Sequence, residues 1–244
     1  MVALGGAAVI KAPIKHNTTG CSQKVIESAK NREEYSETCI DREKLIYRIL
    51  PKDPNILNCL AITSKGIYFP YLRHGNVRDY LQMHNHRLDK NTRDQWIENA
   101  VCAIATIHAH GVVHSDISAR NFLVADDFSI KLCDFAGSGT DSLESLAQEE
   151  SPEEESPYQI FPWSPRTNKT DLFALGSFIY EVSTGLRPFV DIDDEEIERR
   201  YAAQIFPCLD GLKYCEIISK CWRLQYSSAR ILESDVLRCA QSSS

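Results

Sequence analysis

The sequence predicts an α+β fold in which short strands dominate the N-terminal part and helices dominate the remainder. Residues 2–4 and 7–12 are apolar runs that flank the pair Gly5-Gly6, a common signal for a tight β-hairpin. Residues 91–110 instead repeat apolar side chains at the three- and four-residue spacing of a helix. A chain of 244 residues is long enough to bury a sizeable core, so we expect one domain.

Further elements follow along the chain. Residues 13–28 are polar and are expected to form an insertion before the next helix. Residues 40–50 are predicted to be an amphipathic helix, because apolar side chains recur there at helical steps until Pro51 ends the pattern. Residues 56–62 and 66–71 are predicted to be the next strands.

The C-terminal part is predicted to be mainly helical. The helix at 91–110 has an apolar stripe and Gly111 as its C-terminal cap. Members of the stripe are Ile97, Val101, Ile104 and His108. Residues 192–205 predict another helix, whose acidic first turn is favourable at the positive end of the helix dipole.

Composition excludes several classes of function. The formal net charge is −7, so the chain lacks the basic surface that binds nucleic acid. No segment reaches the roughly 18–20 apolar residues that cross a membrane, and residues 2–10 lack the basic start of a secretory signal. The nine cysteines include no C-x-x-C pair, which argues against a zinc site or a disulfide framework. We therefore expect an intracellular protein, cytoplasmic or nuclear, with reduced thiols.

The densest group of chemically useful side chains lies at residues 114–121, and Asp134 follows thirteen positions after Asn121. Phosphoryl transfer from a metal-bound nucleotide needs a group that orients the attacking hydroxyl and ligands for Mg²⁺. Asp116 can take the first role, and the side-chain oxygens of Asn121 and Asp134 suit the second. The alternative is a hairpin in which these polar residues only serve turn geometry.

These residues resemble the protein kinase family, whose catalytic loop has the pattern H-R-D-L-x-x-x-N and whose metal loop has D-F-G. Residues 114–121 fit the first pattern, with Ser115 in place of arginine. Residues 134–136 fit the second, with Ala136 in place of glycine. Small-molecule phosphotransferases similar to aminoglycoside and choline kinases share the first string, so this loop alone leaves both classes open.

Matches elsewhere extend the resemblance. Ala8–Lys11 is similar to the family's V-A-I-K strand, which would make Lys11 the lysine that holds the α- and β-phosphates of ATP. Glu43 lies where the family's helix glutamate pairs with that lysine, although alone it could be a solvated carboxylate. Residues 171–182 resemble the buried central helix that anchors the family's catalytic loop. Because small-molecule phosphotransferases lack this helix, the resemblance favours protein kinases.

The resemblance implies a bilobal protein-kinase-like fold, with a small, mostly β N-lobe and a larger, mostly α-helical C-lobe. The expected boundaries are 1–69 for the N-lobe, 70–74 for the hinge, 75–244 for the C-lobe and 134–165 for the activation segment within it. Cys221-Trp222 matches a late helix of the family, and Arg230 stands where the family has a late buried arginine.

The resemblance also assigns the nucleotide pocket. Phe69 would be the gatekeeper, and the carbonyl of Pro70 and the amide of Leu72 would contact adenine, since proline lacks an N–H but keeps its carbonyl. Leu123 would form the floor under the base. His114 is expected to be a packed core histidine rather than a catalytic base.

The expected activation segment is acidic. Eight Asp and Glu residues and no Lys or Arg lie between Cys133 and Pro165. Because such a stretch buries little apolar surface, we predict that residues 139–160 are mobile. The alternative is a solvated acidic loop without a role.

The function that the resemblance implies is transfer of the ATP γ-phosphoryl group to a hydroxyl of a protein substrate, with Mg²⁺ as the metal. Ser118 stands where members directed to Ser or Thr usually have lysine, whereas Ala119-Arg120 looks like the tyrosine-directed form. Ser or Thr is the expected acceptor, and Tyr stays open. Ser115 cannot bind a phosphorylated activation segment as arginine does, and Ala136 is expected to restrict flipping of the metal loop.

A second function is also compatible with the sequence. The family's first strand and glycine-rich loop would lie before Met1 or be absent, since Gly6 is only five residues from Lys11. A pseudokinase or truncated kinase domain, acting as a nucleotide-binding or scaffolding module, is therefore the alternative.

Overall fold

The computed structural model describes residues 2–4, 7–140 and 166–241. In the N-lobe, four strands form an antiparallel sheet in the order β1-β2-β4-β3. The strands are β1 (Val2–Leu4), β2 (Ala8–Lys11), β3 (Ala61–Thr63) and β4 (Gly66–Pro70). The predicted N-terminal hairpin is confirmed, because β1 pairs with β2 and sets Val2 opposite Ile10.

Helix α1 spans Gln23–Ile49 and is much longer than the predicted segment 40–50. The expectation that residues 13–28 form an insertion is therefore wrong for its last six residues, which are helical. Lys, Glu and Gln are good helix formers, and the first half of α1 is polar and largely exposed. The chain before the helix lies along it, since the Ile14 N–H donates to Ser36 Oγ at 2.9 Å.

The predicted strand at 56–62 is wrong except at its end, where β3 begins. Ile56 and Leu57 instead attach to Leu132 in the C-lobe. Ile56 forms a parallel bridge with Leu132, and the Leu57 N–H donates to the Leu132 carbonyl at 2.8 Å. This segment therefore connects the lobes, a pairing that the local strand pattern does not show.

The C-lobe is mainly helical. Its helices are α2 (Val77–His84), α3 (Lys90–Ala109), α4 (Asn168–Thr184), α5 (Asp194–Ala202), α6 (Cys215–Trp222) and α7 (Ala229–Gln241). Its strands are β5 (Val112–Val113), β6 (Phe122–Val124), β7 (Ile130–Leu132) and β8 (Gly139–Thr140), paired as β5 with β8 and β6 with β7. The helices predicted at 91–110 and 192–205 are confirmed as α3 and α5.

Helix α4 is the centre of the C-lobe and is buried along most of its length. Its Gly176 lies directly against α6, because a Cβ at this position would come within 2.6 Å of the Cys221 Cβ. One residue further, Ser177 Oγ accepts the indole N–H of Trp222 at 3.0 Å. Glycine therefore lets the two helices approach closely, and the indole fixes their register.

Arg230 is 73% exposed and pairs with Glu233 at 3.7 Å, so its predicted burial is wrong; Leu232 and Val236 occupy the buried face of α7 instead. The segment predicted to be mobile, 139–160, lies outside the described residues except for Gly139–Thr140, which form β8.

None of the helices in the described ranges is long and apolar enough to cross a membrane.

Candidate active site

Lys11 lies between the lobes and bridges two carboxylates. Its Nζ is 2.7 Å from Glu43 Oε2 on α1 and 2.7 Å from Asp134 Oδ1, which follows β7. Burial alone would lower the pKa of Lys11, but the charges of Glu43 and Asp134 outweigh burial and raise that pKa above its ordinary value. The ammonium group is therefore charged at neutral pH and fixed in position.

Glu43 also fastens α1 to the metal loop, residues 134–137. Its side chain is 1% exposed, and its Oε1 accepts the Phe135 N–H at 3.3 Å. One residue earlier, Arg42 donates to the Ser138 carbonyl at 2.9 Å. Burial raises the pKa of Glu43, and the charge of Lys11 counteracts the rise. The alternative of a solvated carboxylate at this position is therefore excluded.

An aromatic cluster lies behind this ion pair. The ring of Tyr47 is 5.3 Å from that of Phe135 and 5.3 Å from that of Phe69. Phe135 is fully buried and also contacts His114, at 5.1 Å between ring centroids. Tyr47 is not predicted from the sequence to be a site residue, although its spacing of four from Glu43 places both on one helix face. The cluster couples α1, β4 and the metal loop.

Asn121 fixes the position of Asp116 in the catalytic loop. Its Nδ2 donates to the Asp116 carbonyl at 2.7 Å and to Asp116 Oδ2 at 2.8 Å. The Asp116 side chain is exposed, so a substrate hydroxyl can reach its carboxylate. The amide oxygen of Asn121 takes no part in these bonds. Amide and carboxylate oxygens are ligand types that suit Mg²⁺, and metal binding by Asn121 and Asp134 stays a prediction.

The catalytic loop is anchored on Asp171, in the first turn of α4. Its buried carboxylate accepts the His114 N–H at 2.8 Å and the Ser115 N–H at 2.9 Å. His108 Nε2 lies 2.8 Å from the same carboxylate. Ser115 has a φ of 72°, a conformation that costs free energy and needs such support. The resemblance implied an anchoring helix, whereas His108 was predicted only as part of an apolar stripe.

His114 is a core residue, as predicted. It is fully buried. Its Nε2 lies 3.1 Å from the Cys133 carbonyl oxygen, and its Nδ1 accepts the Asp116 N–H at 3.3 Å. Because both ring nitrogens are used inside the protein, neither is available to take a proton from a substrate.

The alanine of the metal loop is accommodated without backbone strain. Asp134 has a φ of 66°, whereas Ala136 is not among the described residues with positive φ. The Ala136 N–H donates to Asp134 Oδ1 at 3.3 Å and so helps to orient the carboxylate. The expected restriction of loop flipping stays a prediction.

The residues predicted to contact adenine lie together. Leu72 and Leu123 pack against a small apolar cluster of the N-lobe, which consists of Val9, Leu57, Ile67 and Phe69. Pro70 lies opposite Ala8 in the sheet, and the Tyr71 N–H donates to the Ala7 carbonyl at 3.1 Å. Within the described ranges the Leu72 N–H donates to no backbone carbonyl. Their contacts with adenine stay predictions.

Comparison with known proteins agrees with this geometry. A family model described as protein tyrosine and serine/threonine kinase matches residues 6–233. The chain is 28% identical to tyrosine-protein kinase Drl of Drosophila melanogaster over 194 residues, which are 69% of this chain and 30% of Drl. It is 28% identical to serine/threonine/tyrosine-protein kinase HT1 of Arabidopsis thaliana over 149 residues, 56% of this chain and 36% of HT1. The chain therefore spans only about a third of the length of these relatives.

Replacing Asp171 should destabilise the protein strongly. The Asp171→Ala variant leaves the buried N–H groups of His114 and Ser115 without acceptors, and each such group costs about 1–3 kcal/mol. We expect the free energy of unfolding, measured with urea, to fall by about 2–5 kcal/mol. Glu198→Ala, at an exposed position of α5, is the control and should change stability by less than about 0.5 kcal/mol. Equal effects of the two substitutions would contradict the anchoring role.

Replacing Asp134 should alter the acid dependence of stability. Burial would raise the pKa of Asp134, but Lys11 outweighs burial and lowers it below the ordinary value of 3.8. Such a carboxylate stabilises the fold above its ordinary pKa, and the contribution is lost as pH falls through the lower folded pKa. In urea unfolding, wild type and Asp134→Asn should therefore differ near neutral pH and converge in strong acid. A stability difference that is the same at every pH would refute this.

Proposed function

The chain belongs to the protein kinase family, and on that premise we propose that it transfers the γ-phosphoryl group of ATP to a hydroxyl of a protein substrate. The observation that carries the proposal is the position of Lys11, 2.7 Å from both Glu43 and Asp134. This contact brings together three elements that are far apart in sequence: β2, α1 and the metal loop. Such an arrangement places a fixed positive charge beside a candidate metal ligand.

The proposed nucleotide site uses residues from both lobes. Lys11 would hold the α- and β-phosphates, oriented by Glu43, and Asn121 with Asp134 would hold Mg²⁺. When bound, the metal ion would neutralise the negative charge that develops between the phosphates during transfer. The carbonyl of Pro70, the amide of Leu72 and the side chain of Leu123 would position adenine. This division separates binding of the base from stabilisation of the phosphates.

Asp116 is proposed to act on the acceptor. Its exposed carboxylate would accept a hydrogen bond from the attacking hydroxyl and take its proton as the new bond to phosphorus forms. The Asn121 amide donates to that carboxylate at 2.8 Å and to the Asp116 backbone carbonyl at 2.7 Å, and the two bonds together hold the side chain in one orientation. Proton acceptance and metal binding are thereby coupled through one amide side chain.

A protein serine or threonine is the acceptor that we propose, with tyrosine as the alternative. The relatives include proteins named as tyrosine kinases and as serine/threonine kinases, so they support phosphoryl transfer to proteins in general. The catalytic loop carries Ser118 and Arg120 instead of the lysine usual for Ser/Thr-directed members. All nine cysteines are free, which agrees with the proposed intracellular location.

A nucleotide-binding or scaffolding module is the second candidate function. It is favoured by Ser115, which is only 4% exposed and donates its N–H to Asp171. Ser115 offers no positive charge to a phosphorylated activation segment. Relatives with arginine at this position can bind that phosphate, and activation by this route cannot act through Ser115.

Replacing Asp116 should separate the two functions. Wild type and Asp116→Asn would be incubated with γ-labelled ATP, Mg²⁺ and a peptide mixture that contains Ser, Thr and Tyr acceptors. Because the amide cannot take the proton of the hydroxyl, we expect labelling to fall by about 100-fold or more. Asp194→Asn, on the exposed first turn of α5, is the control and should keep full labelling.

The contradicting result is equal background labelling of wild type and Asp116→Asn, which would exclude the enzyme. A thermal-shift titration with ATP and Mg²⁺ then tests nucleotide binding alone, since a ligand of the folded state raises its stability. A rise in the melting temperature without labelling supports a nucleotide-binding module, and no rise at millimolar nucleotide favours a scaffold that binds no nucleotide.

A further inference from the structure

A pair of cysteines lies outside the nucleotide cleft. Cys215 at the start of α6 and Cys239 near the end of α7 line one cavity of about 450 Å³. Both thiols are free and partly exposed. Cys239 Sγ lies 3.5 Å from the carbonyl oxygen of Lys213, which precedes Cys215 by two residues. The two thiols are therefore neighbours in space, although the whole of α6 and most of α7 separate them in sequence.

The cavity that the thiols share is lined by charged side chains. Three of them are basic (Lys213, Lys220 and Arg238) and two are acidic (Glu216 and Asp235), so positive charge is in excess in its wall. Burial raises the pKa of the Cys239 thiol, and the charge of Lys213 partly offsets the rise. Positive charges stabilise thiolates and attract anionic reagents. A tripeptide disulfide such as oxidised glutathione, which carries a net negative charge, is therefore suited to this cavity.

The end of α7 can adjust to a covalent bond. A disulfide needs Cα atoms about 4.4–6.8 Å apart, and Cys239 is two residues from Gln241, where α7 ends. Helix ends fray readily. The body of α7 is held separately, because Asp235 accepts hydrogen bonds from Tyr226 at 2.9 Å and from Lys220 at 3.1 Å. Arg238 in the last turn also pairs with Asp235, but through an exposed side chain that can adjust, so the last turn can move while the rest of the helix stays in place.

We propose that Cys215 and Cys239 are a redox modification site, which small disulfides of the glutathione class convert into an intramolecular disulfide. One protein thiolate attacks the small disulfide, its S–S bond breaks and one glutathione thiolate leaves. The second protein thiolate then attacks the mixed disulfide and releases the other glutathione. Two protein thiols are oxidised, one glutathione disulfide is reduced to two thiols, and the two protons pass to the leaving thiolates. The bond joins α6 to the C-terminal end of the described chain.

The test is peptide mapping after titration of the wild-type protein with oxidised glutathione. Trypsin cleaves after Lys213, Lys220 and Arg238, so the bond should link the peptide 214–220 to the peptide 239–244. Mass spectrometry without reduction should find this pair, two hydrogens lighter than the sum of the separate peptides. The melting temperature should rise by about 5 °C, since the bond restricts the unfolded chain, and dithiothreitol should reverse both changes.

Matched variants make the assignment specific. Cys208→Ser removes an exposed thiol outside the cavity and should keep both the linked peptides and the rise in melting temperature. Cys215→Ser and Cys239→Ser should each lose both. The proposal is overturned if wild type acquires only separate glutathione adducts, or if the two peptides are linked only between different molecules. The wild-type map decides this even if a variant folds poorly.

Discussion

The ion pairs of Lys11 hold together the cleft on which the rest of this structure depends. The Glu43 carboxylate is almost completely buried, so it needs a nearby cation, and Lys11 supplies one at 2.7 Å. Leaving such a group unpaired costs about 3–5 kcal/mol. Because Glu43 also accepts the Phe135 N–H, the position of α1, the orientation of the metal loop and the charge of the lysine are set together. The same lysine reaches Asp134, so a candidate metal ligand belongs to this network before any ligand binds.

The C-lobe provides the fixed base for this arrangement. Helix α4 is packed tightly against α6 at Gly176, and its first turn presents the buried carboxylate of Asp171 to the catalytic loop. That loop then holds Asp116 through Asn121. The proposed catalytic residue Asp116 thus lies on a loop whose position is determined by a buried helix. Ser115 and Ala136 differ from the usual residues of the family, but neither side chain takes part in the ion pairs of Lys11 with Glu43 and Asp134. This explains how the structure tolerates both differences.

The residues of the ion-pair network are predicted from the sequence more accurately than the helices and strands of the N-lobe. Asn121 and Asp134 are predicted from the residue types that phosphoryl transfer needs, and Lys11 and Glu43 from the resemblance to protein kinases. Lys11, Glu43 and Asp134 do meet in one ion-pair network. The long first half of α1 was missed because its polar side chains lack the apolar period that local analysis uses. Ile56 and Leu57 were assigned to a strand, but their partner Leu132 lies in the other lobe, and only tertiary structure reveals it. The contact of His108 with Asp171 was missed for the same reason.

The most direct test of the central claim is a crystal structure of the protein with Mg²⁺ and a non-hydrolysable ATP analogue. We expect the Lys11 ammonium to lie at hydrogen-bonding distance from the α- and β-phosphates, still paired with Glu43, and Asn121 and Asp134 to be ligands of the metal ion. An analogue bound away from the interlobe cleft, or a metal ion that touches neither Asn121 nor Asp134, would contradict it.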